Sequence, residues 1–343
     1  MTQAEHSPVL VTGGAGYIGS HAVLALRDAG RPVVVIDDLS TGFRRAVPQG
    51  VPFLHGDVGD SALVSRVIAE YRIGAIMHFA GSIIVPESVT DPLKYYLNNT
   101  ANSRSLIAAA VTGGVKHFVF SSTAAVYGNP ARVPVAEDDP TVPTSPYGWS
   151  KLMTEVMLRD ASAAHGLAHV ALRYFNVAGA DPLIRTGLST RSATHLIAAA
   201  VGAALGRRAR IDVYGTDYPT PDGTCIRDFI HVSDLARAHL AALSYLRTGG
   251  ASATINCGYG RGYSVREVLD AVQRAAGHTF AVNTAPRRPG DIMVSVADAT
   301  RIRELLNWAP EFDDLDAIVR HALAWERHLM AQNEPAWREA LSA

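Results

Sequence analysis

The segment PVLVTGGAGYIGSHAVLALRDAG, residues 8–30, constrains this chain more than any other. Residues 8–14 are an apolar run closed by glycines, the pattern of a strand buried on both faces of a parallel sheet. Residues 19–29 then space Val23, Leu26 and the neighbouring alanines for a helix that Gly30 can stop. Gly13, Gly16 and Gly19 fall on the turn between them. The same rhythm repeats: 32–38, 51–57, 74–81, 117–123 and 169–176 read as further buried strands. Helical stretches lie at 91–113, where Asp91 can cap and Pro92 open the helix, and at 147–165. Strand–helix alternation with short links requires parallel pairing and right-handed crossovers. The predicted class is α/β, with a Rossmann-like, doubly wound parallel sheet.

After residue 180 the pattern becomes mixed. A loop at 217–228 precedes a helix at 233–247, a strand at 253–258 and a helix at 264–276. Residues 285–291 read as loop and 313–331 as a last helix. The expected division is a dinucleotide-binding domain over 1–180 and a smaller mixed α/β substrate domain over 181–343, some of whose segments cross back to the first.

A glycine-rich turn entering a helix brings backbone N–H groups close to a pyrophosphate, where the helix dipole favours negative charge. Asp37 ends the second strand 18 residues past Gly19, where a carboxylate can accept both ribose hydroxyls of NAD and repel the 2′-phosphate of NADP. Arg44 and Arg45 follow closely and leave that discrimination open.

Only three lysines (Lys94, Lys116, Lys151) stand among 31 Lys and Arg, yet Lys151 lies four residues after Tyr147. Twelve tyrosines and three lysines in 343 positions would give about 0.1 such pairs by chance, and this is the only one. On a helix the two share a face. A surface hydrogen bond or cation–π contact is the ordinary alternative. The pair, however, opens a helix at the carboxyl edge of the sheet, where the fifth strand ends in Ser121, Ser122 and Thr123. Ionising a phenol at neutral pH needs a shift of about 3 units, roughly 4 kcal/mol, which a neighbouring ammonium and a positively charged nicotinamide ring can supply together. The phenolate can then take a hydroxyl proton while hydride leaves for the nicotinamide. A compact ammonium suits that position better than a planar guanidinium.

The TGGAGYIG turn resembles that of the extended short-chain dehydrogenase/reductase superfamily. FSSTAAVYG, SPYGWSKLMTE, LRYFNVAGA, DGTCIRDFIHVSDLA and APRRPGD, in order over about 8–310, resemble more closely its UDP-glucose 4-epimerase family. The resemblance implies a tightly held NAD, a UDP-sugar oxidised to a 4-ketose and reduced from its other face, and a cytoplasmic homodimer. It implies Tyr147 as acid/base, Lys151 as its activator and Thr123 as the hydroxyl that lines up the proton. The implied cofactor set is Gly13, Gly16, Tyr17, Ile18, Gly19, Asp37, Asp57, Val58, Phe79, Ala80, Gly81, Asn98, Tyr147, Lys151 and Tyr174. Phe79 reads equally well as plain core. On the substrate side it implies Thr123, Asn176, Leu196, Tyr214, Arg227, Arg288, Asp291 and Ser295. Arg227 and Arg288 could grip a diphosphate bidentately or be solvated surface arginines. Asp228 and Asp234 read as structural.

Three positions depart from the family pattern. Ile83 replaces a lysine that reaches the cofactor phosphates, and His195 replaces an asparagine. Ser295 stands where some members carry a bulky tyrosine, which leaves room for N-acetylhexosamine nucleotides. A 4,6-dehydratase would need an acid directly after Thr123, and a decarboxylase usually carries a glutamate there. The chain has Ala124 and Ala125. An epimerase of another UDP-sugar, a pentose or a uronate, stays open, and a non-catalytic NAD-binding regulator would not need the Tyr147/Lys151 pair.

Composition narrows the partners. A net charge of −1 gives no general pull toward nucleic acid or membranes, and the longest apolar run (196–206) is far short of the ~20 residues that span a bilayer. The start lacks a basic segment followed by an apolar one, so no leader is expected. Cys225 and Cys257 suggest neither a metal site nor a disulfide framework, which fits a reducing compartment.

Overall fold

A computed structural model describes residues 7–189, 195–288 and 290–332. Residues 1–6, on which the expectation of no leader largely rests, lie outside the described residues, as do Thr194 and Pro289. Strands β1 (Val9–Thr12), β2 (Val33–Asp37), β3 (Phe53–His55), β4 (Ala75–His78), β5 (His117–Ser121) and β6 (Ala168–Tyr174) follow the predicted runs. Seven later strands complete the set: β7 (Asn176–Ala178), β8 (Ile211–Tyr214), β9 (Ile226–His231), β10 (Ala253–Cys257), β11 (Gly262–Ser264), β12 (Val282–Ala285) and β13 (Val294–Ser295). One wholly parallel sheet of seven strands runs in the order β10-β6-β5-β4-β1-β2-β3. Strand order reverses between β1 and β4, and ligands bind outside the carboxyl ends of strands at such a switch.

Alternate residues of one strand feed opposite apolar layers. Val9, Val11, Val33 and Val35 belong to one layer, while Leu10, Val34, Ile36, Ile76, Phe118 and Phe120 belong to the other. Neither face of the inner strands β1, β2 and β4 meets water, so they read as unbroken apolar runs rather than alternating ones. Each fully buried large side chain of this kind stabilises the fold by about 1.5–3 kcal/mol.

The helices that cover the sheet are α1 (Tyr17–Asp28), α2 (Ser61–Tyr71), α3 (Val85–Thr90), α4 (Pro92–Tyr95), α5 (Asn102–Thr112) and α6 (Pro146–His165). The start of α6 is local chemistry. Ser145 is the N-cap and accepts the Gly148 N–H at 3.2 Å, with Pro146 at the first helical position.

The stretch 91–113 is not the single helix that was expected. Between α4 and α5 lies a π-helical turn, Tyr96–Ala101. Its Asn99 carbonyl accepts hydroxyls from Ser103 (2.5 Å) and from Thr154 of α6 (3.1 Å), which relieves that carbonyl of its place in an α ladder. The helix at Val85–Thr90 was not foreseen either.

The remainder carries α7 (Leu196–Ala204), α8 (Val232–Arg247), α9 (Val265–Ala276), α10 (Thr300–Leu306) and α11 (Leu315–Ala331). In a second sheet β9 pairs with β11 antiparallel and with β7 and β13 parallel, while β8 and β12 form a separate parallel pair. The expected loop 217–228 gives its last residues to β9. Two segments beyond 180 serve the large sheet: β10 is its edge strand, and α8 packs on α1, β5 and β6. Asp228 is fully buried and accepts the backbone N–H groups of Tyr259, Gly260 and Ala297. That role ties β9 to the turn after β10, since unmet buried donors would each cost about 1–3 kcal/mol.

Candidate active site

The glycine turn is fixed by close packing. Gly13 has φ +70°, and a Cβ there would stand 2.6 Å from the Ala80 nitrogen at the end of β4. A Cβ on Gly19 would lie 2.1 Å from the Gly13 carbonyl. The turn therefore reaches the switch point only with glycine at both places. Gly16 caps α1 without a side-chain hydrogen bond, and no acidic residue occupies the first turn. The amino end of a twelve-residue helix thus offers N–H groups and positive dipole to an anion.

Asp37, buried at the end of β2, accepts N–H groups from Ala15 (2.9 Å) and Leu39 (2.8 Å). Burial pushes its carboxyl up, and these two bonds work against that. Each oxygen keeps a lone pair for a ribose hydroxyl. Arg44 lies over the Phe53 ring at 4.7 Å and Arg45 over Phe43 at 4.6 Å, so both guanidinium groups are engaged with aromatic faces. The Asp37 carboxylate fits NAD rather than NADP.

The other expected cofactor residues fall around this edge. Asp57 accepts from Gly59 N (2.7 Å) and Asn102 Nδ2 (3.0 Å), beside the buried Val58. Phe79 packs against the His239 ring at 4.7 Å, which is the core alternative for that residue. Gly81 has φ +156°, and Asn98 donates to the Ser82 hydroxyl at 2.9 Å. Its neighbour Asn99 is the buried one: it donates to the Ser82 carbonyl and the Ser150 hydroxyl, and accepts the Ser82 N–H. Tyr17 gives its hydroxyl to the Gly179 carbonyl at 2.7 Å, so that side chain is committed to the chain after β7, while Ile18 packs on the core. Tyr174 accepts from Ser121 at 2.8 Å.

Thr123, Tyr147 and Lys151 come together at the ends of β5 and α6, all three buried. Thr123 caps the short 3-10 helix Ala124–Tyr127, where its hydroxyl accepts the Ala125 N–H at 3.1 Å. The same side chain hydrogen-bonds the Tyr147 phenol. Lys151 holds its ammonium 4.6 Å from the centre of the Phe120 ring. Burial lowers its pKa to about 8, with Glu155 partly offsetting the loss. Burial also raises the Tyr147 phenol, against which the Thr123 hydrogen bond acts. By itself, then, the chain keeps the phenol protonated at neutral pH. Ionisation awaits a further positive charge. Trp149, between them in sequence, is 40% exposed.

Sequence reasoning passed over Glu155, although 147, 151 and 155 continue one helical face. Its buried carboxylate pairs with buried Arg173 of β6 at 2.7 Å and accepts the Ser122 hydroxyl at 2.5 Å.

The expected substrate residues form three groups. Asn176 and Leu196 line a cavity with Tyr17, His195, Phe229 and Trp325, and its walls include none of Thr123, Tyr147 or Lys151. Arg227 and Ser295 are side by side on paired strands β9 and β13, with the guanidinium donating to the Ile226 carbonyl at 2.9 Å. Arg288 lies 4.5 Å over the Tyr214 ring and pairs with Asp291 at 3.1 Å. Ile83 is 53% exposed.

The model of the NAD dependent epimerase/dehydratase family matches residues 9–258. A UDP-glucose 4-epimerase of Azospirillum brasilense is 62% identical over 328 residues, 95% of this chain and 94% of that protein. Among solved structures, UDP-glucose 4-epimerase from Brucella ovis in complex with NAD superposes with a TM-score of 0.91 at 44% identity, covering 93% of this chain and 98% of that one. The UDP-Glc/GlcNAc 4-epimerase from Campylobacter jejuni gives 0.83 at 46% identity, covering 94% and 99%. Fold, cofactor turn and family model agree: the chain belongs to the NAD dependent epimerase/dehydratase family, within its UDP-glucose 4-epimerases.

Proposed function

We propose that this chain interconverts UDP-glucose and UDP-galactose at C4, with Tyr147 as the acid/base, and so serves galactose metabolism. The observation that carries the assignment is the buried Thr123–Tyr147–Lys151 group at the carboxyl edge of the sheet, beside the switch point whose glycine turn fits NAD. What NAD supplies when bound is a reversible acceptor for the C4 hydrogen and, in its oxidised form, a positive charge. Gly13, Gly16 and Gly19 would bring α1 against its pyrophosphate, with Asp37 on the adenosine ribose and Asp57 and Val58 at the adenine. Tyr17, Ile18, Phe79, Ala80, Gly81, Asn98 and Tyr174 complete the proposed lining.

The chain's own residues move the proton. Tyr147 takes it from the C4 hydroxyl as that carbon is oxidised, and returns it to the oxygen when the 4-ketose is reduced from its other face. Thr123 holds the reacting oxygen in line with the phenol. Lys151, one turn along the same face of α6, would supply the positive charge that favours the phenolate that burial opposes. Ala124 and Ala125 put no acid beside the sugar, so a C6 hydroxyl has nothing to protonate it as it leaves. On the substrate side, Asn176, Leu196, Tyr214, Arg227, Arg288 and Asp291 are proposed to hold the UDP, the arginines through its diphosphate. The chain beyond residue 180 is proposed as the UDP-sugar domain, apart from α8 and β10, which serve the large sheet.

Two further readings have their own support. Ser295 is small and neighbours Arg227, which motivates acceptance of N-acetylhexosamine nucleotides. Exposed apolar side chains also cluster on adjoining segments: Val89 of α3, Leu93 of α4 and Leu97 of the π turn, and Trp149, Met153 and Val156 along α6. Spacings of three and four residues make this a stripe of the kind that pairs helices between subunits, and a second copy of this chain is the proposed partner. Both cysteines are free and buried, and no helix among the described residues is long and apolar enough to cross a membrane. The cytoplasm is the proposed compartment.

Three measurements test these readings. Tyr147→Phe should keep bound NAD, seen in its absorbance and fluorescence, while turnover of UDP-galactose falls at least about a thousandfold; substantial remaining activity would refute the role. Under conditions where UDP-glucose turns over, UDP-N-acetylglucosamine should yield its galacto epimer, and no conversion rejects the wider pocket. In sedimentation the protein should run as a dimer and Leu93→Glu/Leu97→Glu as a monomer; a monomeric parent would end the dimer proposal.

A further inference from the structure

We infer that Glu155 and Arg173 are positioning residues for the epimerisation: a buried, mutually neutralising pair that sets the field at Tyr147 and Lys151 and pins the strand end carrying Thr123. The inference rests on the assignment of Tyr147 and Lys151 to proton transfer.

Geometry comes first. Glu155 lies one turn beyond Lys151 on the same face of α6, within reach of its charge. One carboxylate oxygen accepts the Ser122 hydroxyl (2.5 Å) and Arg173 Nε (3.1 Å), and the other accepts Arg173 Nη2 (2.7 Å). The carboxylate therefore grips the residue before Thr123. Arg173 is in turn held from the far side. Its Nη1 donates to the Tyr127 hydroxyl at 3.0 Å, which donates to Asn256 Oδ1 at 2.6 Å. Asn256 donates to the Val135 carbonyl at 2.8 Å, and the Val135 N–H donates to the Val296 carbonyl beside Ser295. A continuous set of buried hydrogen bonds thus runs from the acid/base helix to the strand next to the proposed sugar pocket.

Charge is the second part. The other groups that face Tyr147 and Lys151 are neutral near pH 7. His78 of β4 is held far below its ordinary pKa by burial and by Lys151, with its nitrogens 2.7 Å from the Thr12 hydroxyl and 2.8 Å from that of Ser103. Tyr174 of β6 and Tyr95 of α4 are pushed up chiefly by burial, as is the Cys257 thiol of β10, and Phe120 of β5 carries no charge. Further out, Glu87 of α3 accepts the Tyr95 hydroxyl and is paired with Lys94, and Glu137 lies behind Tyr127 with Arg301 at 3.9 Å, whereas Glu155 and Arg173 are the charged pair bonded to the strand end that carries Thr123. Together they nearly cancel. Singly, each would bias every proton equilibrium at the site, and in opposite senses.

That opposition is the test. On the NAD-loaded enzyme with UDP-galactose, Glu155→Gln leaves Arg173 uncompensated and should move the apparent pKa values of the pH–rate profile down by about one unit. Arg173→Gln leaves Glu155 uncompensated and should move them up by a similar amount. The double variant should return them to within about half a unit of the parent. A role in packing alone would lower turnover without opposite displacements. Shifts in the same direction, or none in either variant, would overturn the inference. If Glu155→Gln does not fold, Arg173→Gln against the charge-neutral double variant carries the same comparison. An active Tyr147→Phe would sink the acid/base assignment itself, whereas an inactive one with unmoved pKa values in these variants would sink only this inference.

Discussion

A lysine ammonium held out of water one helical turn from a buried phenol is the constraint around which the rest of this structure is arranged. Lys151 is 5% exposed, and burial brings its pKa down to about 8. An ion in that position is tolerated only when its surroundings return part of the lost hydration. Here the Phe120 face and the Glu155 carboxylate do so, and Arg173 in turn prevents Glu155 from becoming an uncompensated buried charge. The parallel sheet supplies the geometry: β5 delivers Phe120 and Thr123, β6 delivers Arg173, and α6 delivers Tyr147, Lys151 and Glu155 at one-turn intervals. The cofactor turn reaches the same edge because β1 and β4 are neighbours there, and because Gly13 lets the backbone close on Ala80.

Under the proposed assignment, the Tyr147 phenol shares its work with the cofactor. Buried beside Thr123, it is pushed above its ordinary range, the reverse of what a base requires. Protein charge alone leaves it protonated. An acid/base that ionises only when oxidised cofactor adds its charge would be idle in a site without NAD, so proton transfer and redox chemistry become available together.

Features set by local sterics were readable from the sequence. Gly19 follows from a clearance within the turn itself, against the Gly13 carbonyl, and the Tyr147–Lys151 face follows from helical period, whereas the demand on Gly13 comes from Ala80 of the neighbouring strand end. Ser145 and Pro146 mark the start of α6 by capping chemistry. Features set by tertiary partners were not readable in the same way. Nothing near Asn99 announces a π turn, because the hydroxyl that takes its carbonyl comes in part from Thr154, 55 residues on. β10 has the same apolar pattern whether it joins the large sheet or another, so its place on the edge appears only in three dimensions. Which of two adjacent asparagines is turned inward was not readable either: Asn99 holds the buried structural contacts, while Asn98 is aimed at the Ser82 hydroxyl. Glu155 was accessible to a longer reading of the face that 147 and 151 begin. Its partner Arg173 was not, standing among arginines with no local mark.

The central claim is that one site oxidises and re-reduces the same carbon without releasing what it removes. UDP-glucose deuterated at C4, turned over in ordinary water and followed by NMR and mass spectrometry, tests this directly. The account predicts UDP-galactose that keeps its deuterium at C4, with none passed to solvent. Replacement of that deuterium by solvent hydrogen in step with epimerisation would contradict it.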